Sequence, residues 1–561
     1  TTTKTPYIIN ATFDWVYEEE FRLRDGYRWS PDGRSIAFWQ LDTEGVREFP
    51  LINHTDTLYP QIQKIQYPKA GEENAACRVG VIGIEGGTPV WLDVPGDPRN
   101  HYIFRLEWPE HSRHIVLQQL NRLQNENHVL LANPVTGRVR PFLTETDEAW
   151  VEDQGDVRWL DERGRFAWLS EREGWNSIYI GTGKRGALNR VTKGDFDVTE
   201  IAHVNQTNQT FSFIASPSNP TQRYLYQISF DGSRLERLTP EDQPGTHTYQ
   251  ISPNGRWAIH SYSSFNSPAI TDLVSLPEHH RLRVLEENCE LRKNLALLNT
   301  PETEFFRVDI GNGVELDAWS IKPPGFDPSR KYPLLIHVYG EPAGQTVLDR
   351  WGGKGFLWHA MLAQKGYVIM SFDNRGTPAP RGREWRKCIY RQVGILAAQD
   401  QAAALRAVLK QRPYLDDQRV GIWGWSGGGS MTLNALFKYP ELYQTGIAIA
   451  SVPNQRYYDT IYQERYMGLP TDNVAGYHDG SSINYAHQLR GNLLLIHGTG
   501  DDNVHFQGAE ALMNELIRQK KQFQTMIYPN RSHSISEGRN TTLHLRNLMT
   551  HYLLEKLPPE K

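Results

Sequence analysis

The sequence predicts a β-propeller region, partial as it stands, followed by an α/β region with a mostly parallel, doubly wound sheet. Three observations carry this. A turn motif recurs loosely through the first 300 residues, strand-like and helix-like runs alternate from about residue 303, and a Gly-x-Ser-x-Gly pentad falls on a strand-to-helix turn of the second region. At 561 residues the chain exceeds what one hydrophobic core organises, and the change of pattern divides it into residues 1–302 and 303–561.

In the first region, short aromatic and β-branched runs are separated by turn clusters, without long helical periodicity. Trp29-Ser-Pro-Asp-Gly-Arg34 precedes Ser-Ile-Ala-Phe-Trp, and Ile251-Ser-Pro-Asn-Gly-Arg256 precedes Trp-Ala-Ile-His. Degenerate copies stand at Trp108 and Trp159. With Trp29, Trp108, Trp159 and Ser252 as markers, the intervals are 79, 51 and 93 residues, the last about twice 46. A period of about 45 to 50 residues with about four strands per unit is propeller-like. The long first interval implies an insertion, assigned to Glu44–Gly87.

In the second region the buried-strand candidates are Pro333–Val338, Tyr367–Phe372, Val420–Trp423, Gly446–Ile449, Leu493–Ile496 and Phe523–Ile527. Helical stretches such as 399–410, 508–518 and 541–555 lie between or after them. Such alternation predicts a parallel sheet covered on both faces.

Composition narrows the function. A net charge of −5 without a long basic run argues against nucleic acid as a partner. The longest apolar runs are strand length, so no membrane span is expected. Cys77, Cys289 and Cys388 are few, odd in number and far apart, which fits neither a disulfide framework nor a zinc site. Neither a metal nor another cofactor is expected.

The pentad Gly424-Trp-Ser-Gly-Gly428 follows the apolar run 419–423 and precedes a helix-like segment, so Ser426 occupies the turn that a nucleophile elbow needs. Side chains at 424 and 428 would collide with a backbone folded that tightly. A nucleophilic serine needs a base and a carboxylate that orients it, in the order Ser, Asp, His. Asp501 and Asp502 follow the strand candidate ending at Ile496, and His533 follows the last one. His497 and His505 lie too near the acid loop and read as local structure. Residue patterns alone leave Asp501 and Asp502 undecided.

Four strings spread along the chain closely resemble the dipeptidyl-peptidase branch of the prolyl oligopeptidase family of serine peptidases. They are Asp14-Trp-Val-Tyr-Glu-Glu-Glu-Phe21, Gly424–Gly428, Tyr457-Tyr-Asp-Thr-Ile-Tyr-Gln-Glu-Arg-Tyr-Met-Gly468 and His497-Gly-Thr-Gly-Asp-Asp-Asn-Val-His-Phe-Gln507. The resemblance implies a β-propeller joined to an α/β-hydrolase domain. It makes Ser426 the nucleophile, His533 the general base and acid, and Asp501 the orienting carboxylate. It assigns the oxyanion to the Tyr339 hydroxyl and the Gly427 N–H, a small apolar pocket to Val452, Tyr458, Tyr462 and Val504, and the neighbouring substrate carbonyl to Asn503. Glu19 and Glu20 would hold a free α-ammonium, which only a chain end carries.

The implied activity is a serine exopeptidase that releases dipeptides with proline or alanine second, through an acyl-enzyme. The rival within the family is a tripeptidyl peptidase; the rival of another class is an inactive binding or scaffold protein. The resemblance also implies a homodimer, with a dimerisation arm inside Glu44–Gly87, and the few cysteines suggest a bacterial protein, periplasmic or secreted. Two features depart from the family pattern. Gly427 stands where familiar members carry tyrosine, which is expected to open space beside the pocket. The glutamate motif begins 14 residues into the chain, so three or four early blades and a substrate-positioning arginine are expected to be missing, with sheet edges left open.

Overall fold

Strands of two to nine residues joined by polar turns pair with their sequence neighbours, and each recurrence of the turn motif marks such a pairing. Trp29, Trp108, Trp159 and Ser252 each end, or directly follow, the first strand of a hairpin. Two copies of the motif show why it repeats. Ser30 Oγ donates to Asp32 (2.7 Å) and accepts the Ser35 N–H (2.9 Å); Ser252 Oγ donates to Asn254 (2.9 Å) and accepts the Trp257 N–H (3.1 Å). The same serine–Asx turn thus closes both hairpins. The 93-residue interval holds one further sheet, Val198–Asn205, Thr210–Ala215, Tyr224–Ser229 and Glu236–Arg237, whose first turn lacks the motif.

The computed structural model describes residues 6–110, 112–153, 155–182, 188–299 and 301–559. These form two units, one of Thr1–Trp168, Gly181–Leu188 and Asn454–His478, the other of Leu169–Ile180, Asn189–Pro453 and Asp479–Lys561.

The first unit contains a sheet in the order Ile8–Asn10, Ser35–Asp42, Ala76–Gly83, Gly86–Trp91, with Tyr27–Trp29 on the same edge as Ile8–Asn10. A four-stranded antiparallel sheet, His101–Glu107 to Val139–Thr146, follows. The expected insertion is shorter than 44–87, because 76–83 and 86–91 complete the first sheet. Glycines at 80, 83, 86 and 87 blur the alternation that would have announced those strands. What is inserted is the hairpin Glu48–Asn53 with Gln61–Gln66.

The edge strand of the first sheet is itself interrupted. Asn10 pairs with Gln40 and Tyr27 with Phe38, and the residues between them leave the sheet to form the helix Trp15–Glu20. Ala11 N–H donates to Trp39 O (2.9 Å) and Trp39 N–H to Gly26 O (3.0 Å), which closes the excursion at its base. Six residues are too few for a stable isolated helix. Packing supplies the rest: Tyr17 stacks on Phe13 at 5.7 Å and meets Phe21 and Tyr102 edge-on at 5.4 and 6.0 Å.

The second unit contains antiparallel sheets from residues 198–237 and 246–286, then an eight-stranded sheet. Its strands are β1 (Glu302–Asp309), β2 (Glu315–Lys322), β3 (Tyr332–His337), β4 (Val368–Asp373), β5 (Leu415–Trp425), β6 (Thr445–Ile449), β7 (Asn492–Gly498) and β8 (Gln524–Tyr528), in the order β1-β2-β4-β3-β5-β6-β7-β8. β1 and β2 are antiparallel, β2 meets β4 antiparallel, and β3 to β8 run parallel. The sequence pattern found the parallel strands; β1 and β2 escaped it because their charged ends mask short apolar centres. Helices 353–364, 396–411, 427–438, 507–518 and 541–556 cover the sheet's apolar strands.

Candidate active site

Strand β5 ends at Trp425 and a helix begins at Gly427, leaving Ser426 alone between them at φ 58°, ψ −123°. L-residues avoid this region, and holding one there costs about 1–3 kcal/mol. Three hydrogen bonds fix the turn: Ser426 N–H to Ile449 O (2.9 Å), Ser430 N–H to Ser426 O (3.0 Å) and Trp425 Nε1–H to His533 O (2.9 Å). A Cβ at Gly424 would lie 2.3 Å from the Gly428 backbone, and one at Gly428 would lie 2.2 Å from Val338 O. Both glycines are demanded by contact with main chain, which cannot move aside.

Asp501 lies past the carboxyl end of β7, fully buried. Its Oδ1 accepts the N–H groups of Asn503 (3.0 Å) and Val504 (2.8 Å), and its Oδ2 stands 2.8 Å from His533 Nδ1. That geometry distinguishes Asp501 from Asp502: the first carboxylate of the pair faces the histidine. Burial alone would raise the Asp501 carboxyl, but hydrogen bonds from His497 and His533 reverse the effect and hold it at about 2. His497 bonds Val504 O at 2.7 Å and stands 3.4 Å from Asp501, so it braces the acid loop. His533 follows β8, and its carbonyl is the acceptor for the Trp425 indole.

Tyr339 is two residues beyond β3, in a loop secured by Asn374 Nδ2, which donates to Gly340 O at 3.0 Å. Gly427 is the first residue of its helix, so its N–H has no intrahelical acceptor. The space expected to open beside Gly427 is occupied: a Cβ there would lie 2.8 Å from the carboxyl of Glu341, a residue 7% exposed. No sequence signal marked Glu341, which reaches Gly427 from 86 residues earlier. Val452 N–H donates to Ser430 Oγ (2.9 Å), Val504 is buried, and Asn503 is half-buried in the acid loop.

The remaining predicted residues lie in the first unit. Glu19, on the short helix, is exposed and Glu20 half-buried; Asp14 caps the helix by accepting the Tyr17 N–H at 3.2 Å. Tyr458 and Tyr462 meet edge-on at 5.2 Å, and the series continues through Tyr466 (4.9 Å) to Trp150 (4.9 Å). The helix Thr460–Met467 that carries Tyr462 is anchored on both flanks. Glu464, fully buried, accepts from Arg122 at 2.7 and 2.8 Å and from the Gly71 N–H at 2.8 Å, while Gln124 Nε2 donates to Ile461 O at 2.6 Å. Asp459 caps this helix, accepting the Tyr462 N–H at 2.9 Å, and its carboxyl is within hydrogen-bonding reach of Glu20. Residue patterns singled out neither Asp459 nor Arg465, although both stand in the string 457–468.

The profile of the dipeptidyl peptidase IV N-terminal region matches residues 1–269, and that of the prolyl oligopeptidase family matches residues 356–559. A probable dipeptidyl-aminopeptidase B of Emericella nidulans is 33% identical over 93% of this chain and 60% of its own length. The mouse prolyl endopeptidase FAP is 32% identical over 97% of this chain and 74% of its own. The crystal structure of Porphyromonas gingivalis dipeptidyl peptidase 4 superposes with a TM-score of 0.94 at 35% identity, over 99% of this chain and 78% of that one. The chain therefore spans about three fifths of the length of the fungal relative. With the β-propeller and α/β-hydrolase architecture of these relatives, the chain belongs to the prolyl oligopeptidase family of serine peptidases, in its dipeptidyl peptidase IV branch.

Proposed function

We propose that this protein is a serine exopeptidase that releases dipeptides from free amino termini, with proline or alanine second. The observation that carries the reading is the buried Asp501 carboxylate 2.8 Å from His533 Nδ1, on a loop hydrogen-bonded to the residue before the strained Ser426. Asp501 fixes the proton on Nδ1, leaving Nε2 to take the Ser426 hydroxyl proton as Oγ attacks the scissile carbonyl. The Gly427 N–H and the Tyr339 hydroxyl stabilise the oxyanion. His533 then protonates the leaving amine, and water, activated by the same base, hydrolyses the acyl-enzyme.

Glu19 and Glu20 supply the exopeptidase character by accepting the substrate ammonium, each charge-assisted hydrogen bond contributing roughly 1.5–3 kcal/mol. Val452, Tyr458, Tyr462 and Val504 enclose the proline ring, which has no N–H to leave unpaired, and Asn503 holds the adjoining carbonyl. In this reading residues 1–302 form the propeller domain and 303–561 the hydrolase domain. The hairpin 48–66, with Leu58, Tyr59 and Ile62 exposed, serves as the arm of a homodimer. A periplasmic or secreted site of action completes the proposal; among the described residues no helix is long and apolar enough to cross a membrane.

The test compares Ala-Pro, Ala-Ala-Pro and N-acetyl-Ala-Pro anilides. Release from the first alone is expected. Preference for the second favours a tripeptidyl peptidase, and turnover of the acetylated substrate favours the endopeptidase activity named for the mouse relative. Ser426→Ala is expected to lower kcat by about 10⁶-fold and abolish fluorophosphonate labelling. A folded wild-type protein that takes no label would be a binding or scaffold protein.

A further inference from the structure

The carboxyl of Asp459 is fully buried, and only one of its oxygens is engaged by a backbone donor. Oδ1 accepts the Tyr462 N–H at 2.9 Å, whereas Oδ2 is enclosed and takes no hydrogen bond from any donor among the described residues. The Glu20 carboxyl is within hydrogen-bonding reach. Two ionised carboxylates within hydrogen-bonding reach, one fully buried and the other half-buried, repel; one proton between them converts the repulsion into a short O–H···O⁻ bond.

We propose that Asp459 is a positioning residue for Glu20: in the free protein the two carboxyls hold one proton between them, and a substrate's α-ammonium displaces that proton to solvent on binding. This rests on the reading of Glu20 as an ammonium acceptor.

The charges around the pair are consistent with it. Arg465 faces both carboxyls, its Nε tied to Gln124 Oε1 at 2.6 Å; Glu19 faces Glu20, and Tyr466 and Glu152 flank Arg465. With one shared proton, Glu20, Asp459 and Arg465 together carry no net charge. With the proton gone and an ammonium bound, the sum is again zero. Burial raises both carboxyls above their ordinary range, the Asp459 charge raises Glu20 further, and Arg465 opposes the rise at each. Asp459 also caps the helix carrying Tyr462, so the group that shares the proton fixes the flank of the pocket as well.

The test is the pH profile of KM for an Ala-Pro anilide in wild type and Asp459→Asn. Asparagine caps helices as well as aspartate does, and its amide can donate to Glu20 permanently. In wild type, KM is expected to rise about tenfold per pH unit on the acid side of the pair's titration. In the variant that limb should lie at least about one unit lower, while the kcat limb stays with His533. Titration calorimetry of Ala-Pro near pH 6, in buffers of different ionisation enthalpy, should show about one proton released by wild type and close to none by the variant. Asp459→Ser, which also caps, replaces the amide variant if that one does not fold. Coincident KM limbs or equal proton release overturn the role of Asp459 while leaving the exopeptidase intact. Equal turnover of acetylated and free substrates by wild type sinks both readings.

Discussion

At Ser426 the backbone itself is forced, with φ at 58° and main-chain atoms within 2.3 Å of where side chains at 424 and 428 would begin. Around Glu19 and Glu20 the helix is ordinary, and side chains hold it: Tyr17 among Phe13, Phe21 and Tyr102, with buried Asp14 as the cap. The first device fixes the main chain that carries Ser426, which the proposed proton transfer and attack require. The second holds Glu19 and Glu20 by distributed packing, which suits the proposed recognition of a mobile ammonium. Damage to the first should therefore appear in kcat and damage to the second in KM.

The largest expected effect tests the forced backbone. Gly428→Ala places a Cβ 2.2 Å from Val338 O, and relief requires the elbow to move. A shift near 1 Å at a nucleophile costs about 10²-fold or more, and loss of the oxyanion donor beside it a further 10²- to 10³-fold. Fluorophosphonate labelling, which needs no ammonium site, should fall as far as peptide turnover does. Labelling at the wild-type rate would mean that the strained turn is not what aligns Ser426.

Glu19→Gln and Glu20→Gln probe the other device. Each should raise KM by about 10- to 150-fold, the equivalent of one charge-assisted hydrogen bond, with labelling unchanged. An effect confined to kcat would erase the distinction between the two regions.

The two devices were unequally legible in the sequence. Elbow glycines can be read because their spacing about the serine is a local pattern, even though the main chain that demands Gly428 is Val338, 90 residues earlier. The propeller repeat could be read because Ser30 and Ser252 each close a turn within five residues. Asp501 and Asp502 could not be separated, since neighbours in a loop can face either way until Asn503 and Val504 commit their N–H groups. Glu341 and Asp459 carried no signal because their partners are distant in the chain, Gly427 in one case and Glu20 in the other. The shorter insertion at 44–87 has the same character, its closing strand recognised only once paired with Ser35–Asp42.

Glu341 gives the comparison its third test, because it introduces side-chain packing at the forced turn. Gly427→Tyr alone should destabilise by about 2 kcal/mol and impair turnover, since its Cβ meets a buried carboxyl. Glu341→Gly should make the tyrosine tolerable, so the double variant is expected to recover most of both losses. If the two changes simply add, Glu341 does not occupy the space that a side chain at 427 would take.

The smallest effect separates the regions by the sign of their pH response. Hydrogen bonds hold Asp501 at about 2, below its unfolded value near 3.9, so its stabilisation is complete above about pH 4 and is lost as pH falls through 2. Asp14 behaves oppositely. Burial raises it to about 7, with one oxygen enclosed and taking no hydrogen bond among the described residues, so the folded state keeps a proton that the unfolded chain releases. Stability at Asp14 is therefore full below about pH 4 and declines as pH rises towards 7. Water penetration and relaxation reduce such penalties, leaving about 1 kcal/mol, or a fivefold change in local protection. Amide hydrogen exchange of residues 15–21, corrected for intrinsic rates, should lose that protection between pH 5 and 7 in wild type and keep it in Asp14→Asn, whose cap does not ionise. Identical slopes in the two proteins would show that Asp14 stays ionised inside the fold, and that the helix Trp15–Glu20 is held by its aromatic packing alone.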